Sequence, residues 1–268
     1  MKLYIFDYGI IELDQGFVVA MPNPASVDNK NPTAVWMSLP MYGVLIEHPQ
    51  GRLLYDLGCH PDAMKDRWPE HWQKLAPCTL KKDNFPGEQL KKVGLSPKDI
   101  DIVIVSHLHL DHTGDLELFK YAQIYVHQTD FQMALVSTHK SPDPLEWGAY
   151  IRADMETEGF FNLVNEDMEL WEGIDLITLE GHTAGILGML VKLKNFGNII
   201  FPSDAIYTAM NYGPPPPPKP PGIIYDTLGY FRTVEKVRKL ARMHNARIFF
   251  PHDPDQFKEF KKAPEYYD

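Results

Sequence analysis

The sequence predicts a mixed α/β (α+β) chain, and two observations carry that expectation. Short apolar runs rich in Val, Ile, Leu and Phe alternate with stretches of helical periodicity. Four of those runs, at 102–105, 176–179, 199–201 and 248–250, are followed at once by residues able to bind a metal. The first delivers His107, His109, Asp111 and His112; the others deliver His182, Asp204 and His252. Strands of one sheet lie about 4.8 Å apart, so side chains just past their ends can meet along one rim.

In chain order, 2–6 and 17–21 read as short strands, with Asp14-Gln15-Gly16 turning between them. Residues 22–41 hold four prolines and read as a long loop carrying Trp36. The runs 44–46 and 53–55 flank Pro49-Gln50-Gly51 as a hairpin. Helices are expected over 61–68 and 86–93, the second stopped by Gly94. After the 102–105 run, 123–127 is a strand, and Thr129 caps a helix to Val136. A helical stretch is expected over 145–158, then strands over 167–171, 176–179, 188–193 and 198–201. Gly213 to Gly222 is almost all proline, which fixes φ and lacks an N–H, so extended polyproline is expected there. The chain closes with an amphipathic helix over 228–244, a strand over 248–250 and a helix over 253–261.

Totals narrow the function. The 268 residues, 44% hydrophobic and 23% charged, describe a globular protein. A formal net charge of -10 disfavours a nucleic-acid partner, which calls for a basic patch. The two cysteines, Cys59 and Cys78, form no C-x-x-C pair and suit a reducing compartment. Asp7 interrupts the N-terminal apolar stretch too early for a signal peptide, and no run is long enough to span a bilayer. A cytoplasmic protein without a membrane partner is expected, and a homodimer is an admissible assembly.

The centre of the chain is His107-Leu108-His109-Leu110-Asp111-His112. Imidazole nitrogen and carboxylate oxygen are donors for borderline divalent cations. The H-x-H-x-D-H spacing offers one pair of ligands to each of two adjacent ions. Counting donors assigns His107, His109 and His182 to metal one, and Asp111, His112 and His252 to metal two. Asp204 is the spare carboxylate, able to bridge through its two oxygens. Two ions about 3.5–4 Å apart are expected, as in two-metal hydrolases. Zn is the first choice, and Mn, Co or Fe take the same donors. Asp56, at a strand end, is a candidate to hold a ligand histidine from behind. His48, His60, His71, His127, His139 and His244 offer no second ligand set by sequence context.

These residues resemble the metallo-β-lactamase superfamily, and more narrowly the N-acyl homoserine lactonases. The matching pieces are the H-x-H-x-D-H run, Gly181-His182-Thr183, Ser203-Asp204-Ala205-Ile206-Tyr207 and His252-Asp253, with Leu54 to Pro61 upstream and Tyr207 to Pro214 downstream. The resemblance implies one domain over 1–268, folded as a four-layer αββα sandwich with two divalent ions. It implies a lactonase that opens the ring of acyl homoserine lactones, the signals of quorum sensing, by attack of a hydroxide bridging the ions. Tyr207 would then donate to the developing oxyanion, and Asp111 would carry a proton to the leaving oxygen. An apolar groove for the acyl tail is expected. Met21, Trp36 and Leu110 are its candidate walls, ahead of Tyr212 and Tyr230, and core packing explains each nearly as well. The alternatives are another dinuclear hydrolase of the same fold (a thioesterase of the glyoxalase II type, an arylsulfatase or a phosphodiesterase), a di-iron oxidoreductase, or a non-catalytic metal-binding module.

Overall fold

In the computed structural model, which describes residues 1–213 and 218–268, two sheets pack face to face. The first contains β1 (Lys2–Asp14), β2 (Trp36–His48), β3 (Gly51–Tyr55), β4 (Cys78–Thr79), β5 (Ile102–Ile104), β6 (Gln123–His127) and β7 (Phe160–Val164), in the order β4-β1-β2-β3-β5-β6-β7. The second contains β8 (Met168–Trp171), β9 (Ile174–Leu179), β10 (Ile186–Leu193), β11 (Gly197–Phe201) and β12 (Arg247–Ile248), in the order β12-β11-β10-β9-β8. The helices are α1 (Gln15–Val18), α2 (Glu70–Leu75), α3 (Pro86–Lys92), α4 (Gln128–His139), α5 (Arg152–Met155), α6 (Ala209–Tyr212), α7 (Thr227–His244) and α8 (Pro254–Glu259).

Side-chain alternation along the strands builds three apolar layers. Leu3 and Ile5 of β1, with Val44 and Ile46 of β2, face Leu187, Met189 and Val191 of β10 across the space between the sheets. The alternate residues Tyr4, Phe6 and Leu45 face outward, in one apolar layer with Leu90 of α3 and Ala134 of α4. On the other outer face, Ile186, Leu190 and Ile200 are covered by Tyr230, Val234 and Val237, which share one face of α7. Burial of each large side chain stabilises by about 1.5–3 kcal/mol, so this helix is fixed chiefly by its face. Asp226 caps its start by accepting from Leu228 N, and Asn245 ends it in the left-handed region. Helices therefore lie outside two stacked sheets, the αββα order expected. No helix among the described residues is long and apolar enough to cross a membrane.

Local expectations fail where tertiary contacts decide. The strand expected over 17–21 is absent: β1 runs unbroken to Asp14, whose Oδ1 accepts from Gly16 N at 2.7 Å and starts α1 instead. The loop expected over 22–41 ends early, because β2 begins at Trp36, paired with Asp14. Pro40 sits inside that strand opposite Ile10, next to the β1 bulge, where a missing N–H is tolerated. The helix expected over 61–68 is one wide turn, Ala63–Arg67. The cap of α4 is His127, accepting from Thr129 N, rather than Thr129. The 145–158 helix is broken. Gly148 adopts φ +68, Tyr150 bridges to His109, and only a 3-10 turn at Pro144–Glu146 and α5 are helical. The strand over 248–250 shrinks to β12, while α2 and the edge strand β7 escaped the sequence pattern. Part of the polyproline expectation, residues 214–217, lies outside the described residues.

Candidate metal centre

β5 lies inside the first sheet between β3 and β6, and the loop after it carries the H-x-H-x-D-H run. That loop is held from several sides. Asp56 Oδ1 accepts from Ser106 N at 2.7 Å, Asp130 Oδ2 accepts from Leu108 N at 2.7 Å, and Leu187 N of the second sheet donates to Ser106 O. The second sheet delivers His182 past β9, Asp204 in the turn Ser203–Ala205 past β11, and His252 past β12. Ser203 Oγ donates to Ser106 Oγ at 2.7 Å and ties the two rims together. Gly181 makes room for this. With φ +123, it lies where a Cβ would stand 2.7 Å from the Tyr230 backbone.

Seven donors converge as two groups: His107, His109 and His182, then Asp111, His112, Asp204 and His252. Asp204 stands between them. Its Oδ2 lies 3.6 Å from His182 Nε2 and 3.9 Å from His107 Nε2, while its Oδ1 lies 3.4 Å from His112 Nε2 and 3.1 Å from His252 Nε2. One carboxylate oxygen thus faces each group. Asp111 Oδ2 lies 3.6 Å from His112 Nε2 and 3.7 Å from His252 Nε2.

The far ring nitrogens fix the tautomers. His182 Nδ1 faces Ile223 O at 3.1 Å, His252 Nδ1 faces Pro40 O at 2.9 Å, and His112 Nδ1 faces Asp56 Oδ2 at 2.9 Å. Carbonyl and carboxylate oxygens only accept, so each Nδ1 carries a proton, and Nε2 is the nitrogen turned to the centre, where it can offer a lone pair to a cation. His107 Nδ1 meets Ser106 Oγ at 3.2 Å.

The donor set fits a pair of cations. His107 Nε2, His112 Nε2 and Asp204 Oδ1 are three of the four buried side-chain polar atoms without a hydrogen-bond partner among the described residues. Leaving three such atoms orphaned at one spot is costly unless an ion satisfies them. His182 Nε2 and His109 Nδ1 are 2.9 Å apart, a separation that needs a proton or a cation between the lone pairs.

Electrostatics agree. Burial and imidazole neighbours push His107 and His109 well below the ordinary histidine range, and burial lowers His182. Burial also opposes charge on His112 and His252, but nearby carboxylates, Asp111 and Asp204 among them, outweigh it and raise both. Burial works against ionisation of Asp204, yet His252 and His112 hold its carboxyl well below the usual range. The spot attracts positive charge.

A largely apolar cleft opens over the centre. His109, Asp111, His182, Asp204 and His252 form its floor, and Leu110, Ile11, Leu13, Leu39, Trp72 and Ile223 are among its walls. Tyr207 also lines it, buried, with its hydroxyl 3.1 Å from His182 Nδ1. Burial, then the Asp204 and Asp111 charges, push the Tyr207 phenol well up, so it stays protonated. Because His182 Nδ1 already carries a proton, the acceptor left to the Tyr207 hydroxyl on that ring is Nε2, at 3.4 Å.

Four of the five groove candidates lie apart from this cleft. Met21 is 74% and Trp36 53% exposed, and neither is among the lining residues, since Trp36 became the outer end of β2. Tyr230 is fully buried under α7 and donates to Lys219 O at 2.9 Å, and Tyr212 packs on Phe250.

Residues 42–252 match the family model of the metallo-beta-lactamase superfamily. The chain belongs to that superfamily. Within it, the chain belongs to the N-acyl homoserine lactonase family: it is 36% identical to the N-acyl homoserine lactonase AiiB of Agrobacterium fabrum across 98% of each chain. It is 33% identical to the N-acyl homoserine lactonase AttM of Rhizobium radiobacter, over 85% of this chain and 88% of that one. Among solved structures it resembles an N-acyl homoserine lactone hydrolase with N-hexanoyl-L-homoserine bound at its catalytic metal center. That likeness has a TM-score of 0.83 at 23% identity, over 99% and 98% of the two chains.

For a member of this superfamily, the sequence reading missed mostly what surrounds the donors. Trp72 and Ala76 lie in and just past a helix the pattern did not show. Ile11 and Leu13 lie on a part of β1 that was given no element, and Leu39 on a strand read as loop, although the alternation of Ile11 and Leu13 with polar neighbours was a usable sign. A third grouping, His60, Asp115 and Glu117, was also missed. There His60 Nδ1 accepts from Asp62 N at 3.0 Å, so its other nitrogen donates to Glu117 Oε1, and the ring presents no free lone pair.

Proposed function

We propose that this protein hydrolyses the lactone ring of N-acyl homoserine lactones, releasing the ring-opened acyl homoserine, with two zinc ions held by the seven converging residues. The observation that carries the reading is Asp204, which turns one oxygen to each of two nitrogen-rich donor groups at the floor of an apolar cleft. The names of the relatives give the substrate class, and the donor set of five imidazoles and two carboxylates favours zinc while admitting Mn, Co or Fe. His107, His109 and His182 would hold one ion, Asp111, His112 and His252 the other, with Asp204 shared. Divalent ions there supply a water of lowered pKa and polarise a carbonyl oxygen.

The protein's own groups do the rest. The apolar walls take up the acyl chain and keep bulk water from the ester. The Tyr207 hydroxyl, protonated and without an acceptor at His182 once Nε2 holds an ion, donates to the carbonyl oxygen as negative charge grows on it. Asp111, at the cleft floor and only 12% exposed in its side chain, takes the proton of the attacking water and delivers it to the ring oxygen as the C–O bond breaks.

The test is direct. Metal-analysed protein is incubated with short- and long-chain acyl homoserine lactones, a thioester and a phosphodiester, and acid release is followed. Turnover of the lactones well above the other two is expected. A preparation holding two ions but faster on the thioester or phosphodiester would overturn the reading.

A further inference from the structure

Four of the five histidines of the centre have their outward nitrogen held by an oxygen: Ser106 Oγ for His107, Asp56 for His112, Ile223 O for His182 and Pro40 O for His252. His109 has no such partner among the described residues. Its ring is flanked by Tyr150, edge-on with centroids 4.9 Å apart, and the two backbones meet in an antiparallel bridge. Tyr150 in turn donates its hydroxyl to Asp130 Oδ1 at 2.7 Å, and the other oxygen of Asp130 accepts from Leu108 N, the peptide between His107 and His109.

Asp130 is fully buried and has no Lys or Arg partner among the described residues. Burial pushes its carboxyl up to about 6, with the bonds from Tyr150 and Leu108 opposing. Its place in the first turn of α4 gives it some help from the helix N-terminus. A buried carboxylate without a cation is costly to keep. Here its two oxygens grip both supports of His109.

We infer that Asp130 and Tyr150 are the positioning pair for His109. They do for that ligand what a directly bonded oxygen does for the other four. The pair acts at one ion only, since His109 belongs to the group of His107 and His182 and not to the group of His112 and His252. The inference rests on the two-ion reading above.

The experiment compares wild type, Asp130→Ala, Asp130→Asn and Tyr150→Leu, each loaded with zinc, dialysed against graded chelator, and assayed for bound zinc and melting temperature. Asp130→Ala and Tyr150→Leu are expected to release one of two zinc equivalents at chelator levels about 10–100-fold lower than wild type, the usual effect of removing a support behind a ligand. The second equivalent should leave at the wild-type level. Asp130→Asn should hold both ions nearly as wild type does, because an amide can accept from Leu108 N and donate to the Tyr150 oxygen. Lactone turnover of the first two variants should recover in excess zinc. If Asp130→Ala does not fold, Tyr150→Leu, which keeps an apolar side chain in place, carries the test. Retention of both ions at wild-type affinity, or simultaneous loss of both with a lowered melting temperature, would overturn the inference while leaving the two-ion reading intact. Wild type binding no zinc would overturn both.

Discussion

Replacing Tyr207 by Phe separates chemistry from architecture. The hydroxyl lies 3.1 Å from His182 Nδ1, but that nitrogen keeps Ile223 O as its acceptor, so no buried donor is stranded. The ring stays edge-on to His182 and His252, at centroid distances of 5.1 and 5.4 Å, and Phe fills the same volume. Loss of one hydrogen bond is worth about 1 kcal/mol at most, a shift of roughly 2–4 °C in melting temperature for a chain of this size. Turnover should suffer far more. A hydroxyl aimed at a developing oxyanion contributes about 2.7–4 kcal/mol, so kcat is expected to fall by about 10²–10³-fold with little change in KM. The assay is acid release from hexanoyl homoserine lactone, beside zinc analysis and a melt of the same sample. An unchanged kcat refutes the role. So does a loss of turnover matched by a loss of zinc, which would make Tyr207 a structural residue.

Further expectations use other assays. Asp56→Ala strands the Ser106 amide, at about 1–3 kcal/mol, and puts alanine at φ +58, at about 1–2 kcal/mol more; Asp56→Asn tolerates that backbone and keeps an acceptor, so its melt should lie nearer wild type. The Ala variant should also bind zinc about 10–100-fold more weakly, since only the 3.4 Å contact with Ser106 Oγ then remains behind His112, and a zinc titration reads this. Burial pushes the Asp115 carboxyl up to about 6 from an unfolded value near 3.8, so the folded state binds the extra proton and the group costs stability as pH rises through about 6. Asp115→Asn suits its φ of +54 and should raise the melting temperature above that pH and leave it unchanged near pH about 4. Chelation should abolish lactone turnover and lower the melting temperature, because an ion present at 1,000 times its dissociation constant stabilises by about 4 kcal/mol. A chelated protein that melts unchanged would show that the centre holds no ion.

Much of the fold was legible because burial on both faces leaves a dense apolar signal. The runs at 123–127 and 198–201 became β6 and β11 within a residue, and the 228–244 helix became α7 on the strength of its caps and its single apolar face. The misreadings share one cause. Residues 15–21 and 145–158 carry weak local preferences, and long-range partners decided them: Trp36 pairing with Asp14 extended β1, and His109 bridging to Tyr150 broke the expected helix. No local periodicity contains either partner.

The centre divides along the same line. Its seven donors were legible because imidazole and carboxylate at strand ends are rare enough to stand out, and a strand end is a place a sheet must bring near its neighbours. What orients those donors was largely illegible, for a physical reason. Pro40 and Ile223 act through carbonyl oxygens, which every residue possesses and no residue type announces. Asp56 could be guessed because a side chain does the work. Asp130 was passed over because it sits in a helix that reads as ordinary surface, and only the fold shows that helix delivering a carboxylate inward to Leu108 and Tyr150. A sequence thus exposes the atoms that touch a metal more readily than the atoms that decide where they point, although the latter set whether the former bind.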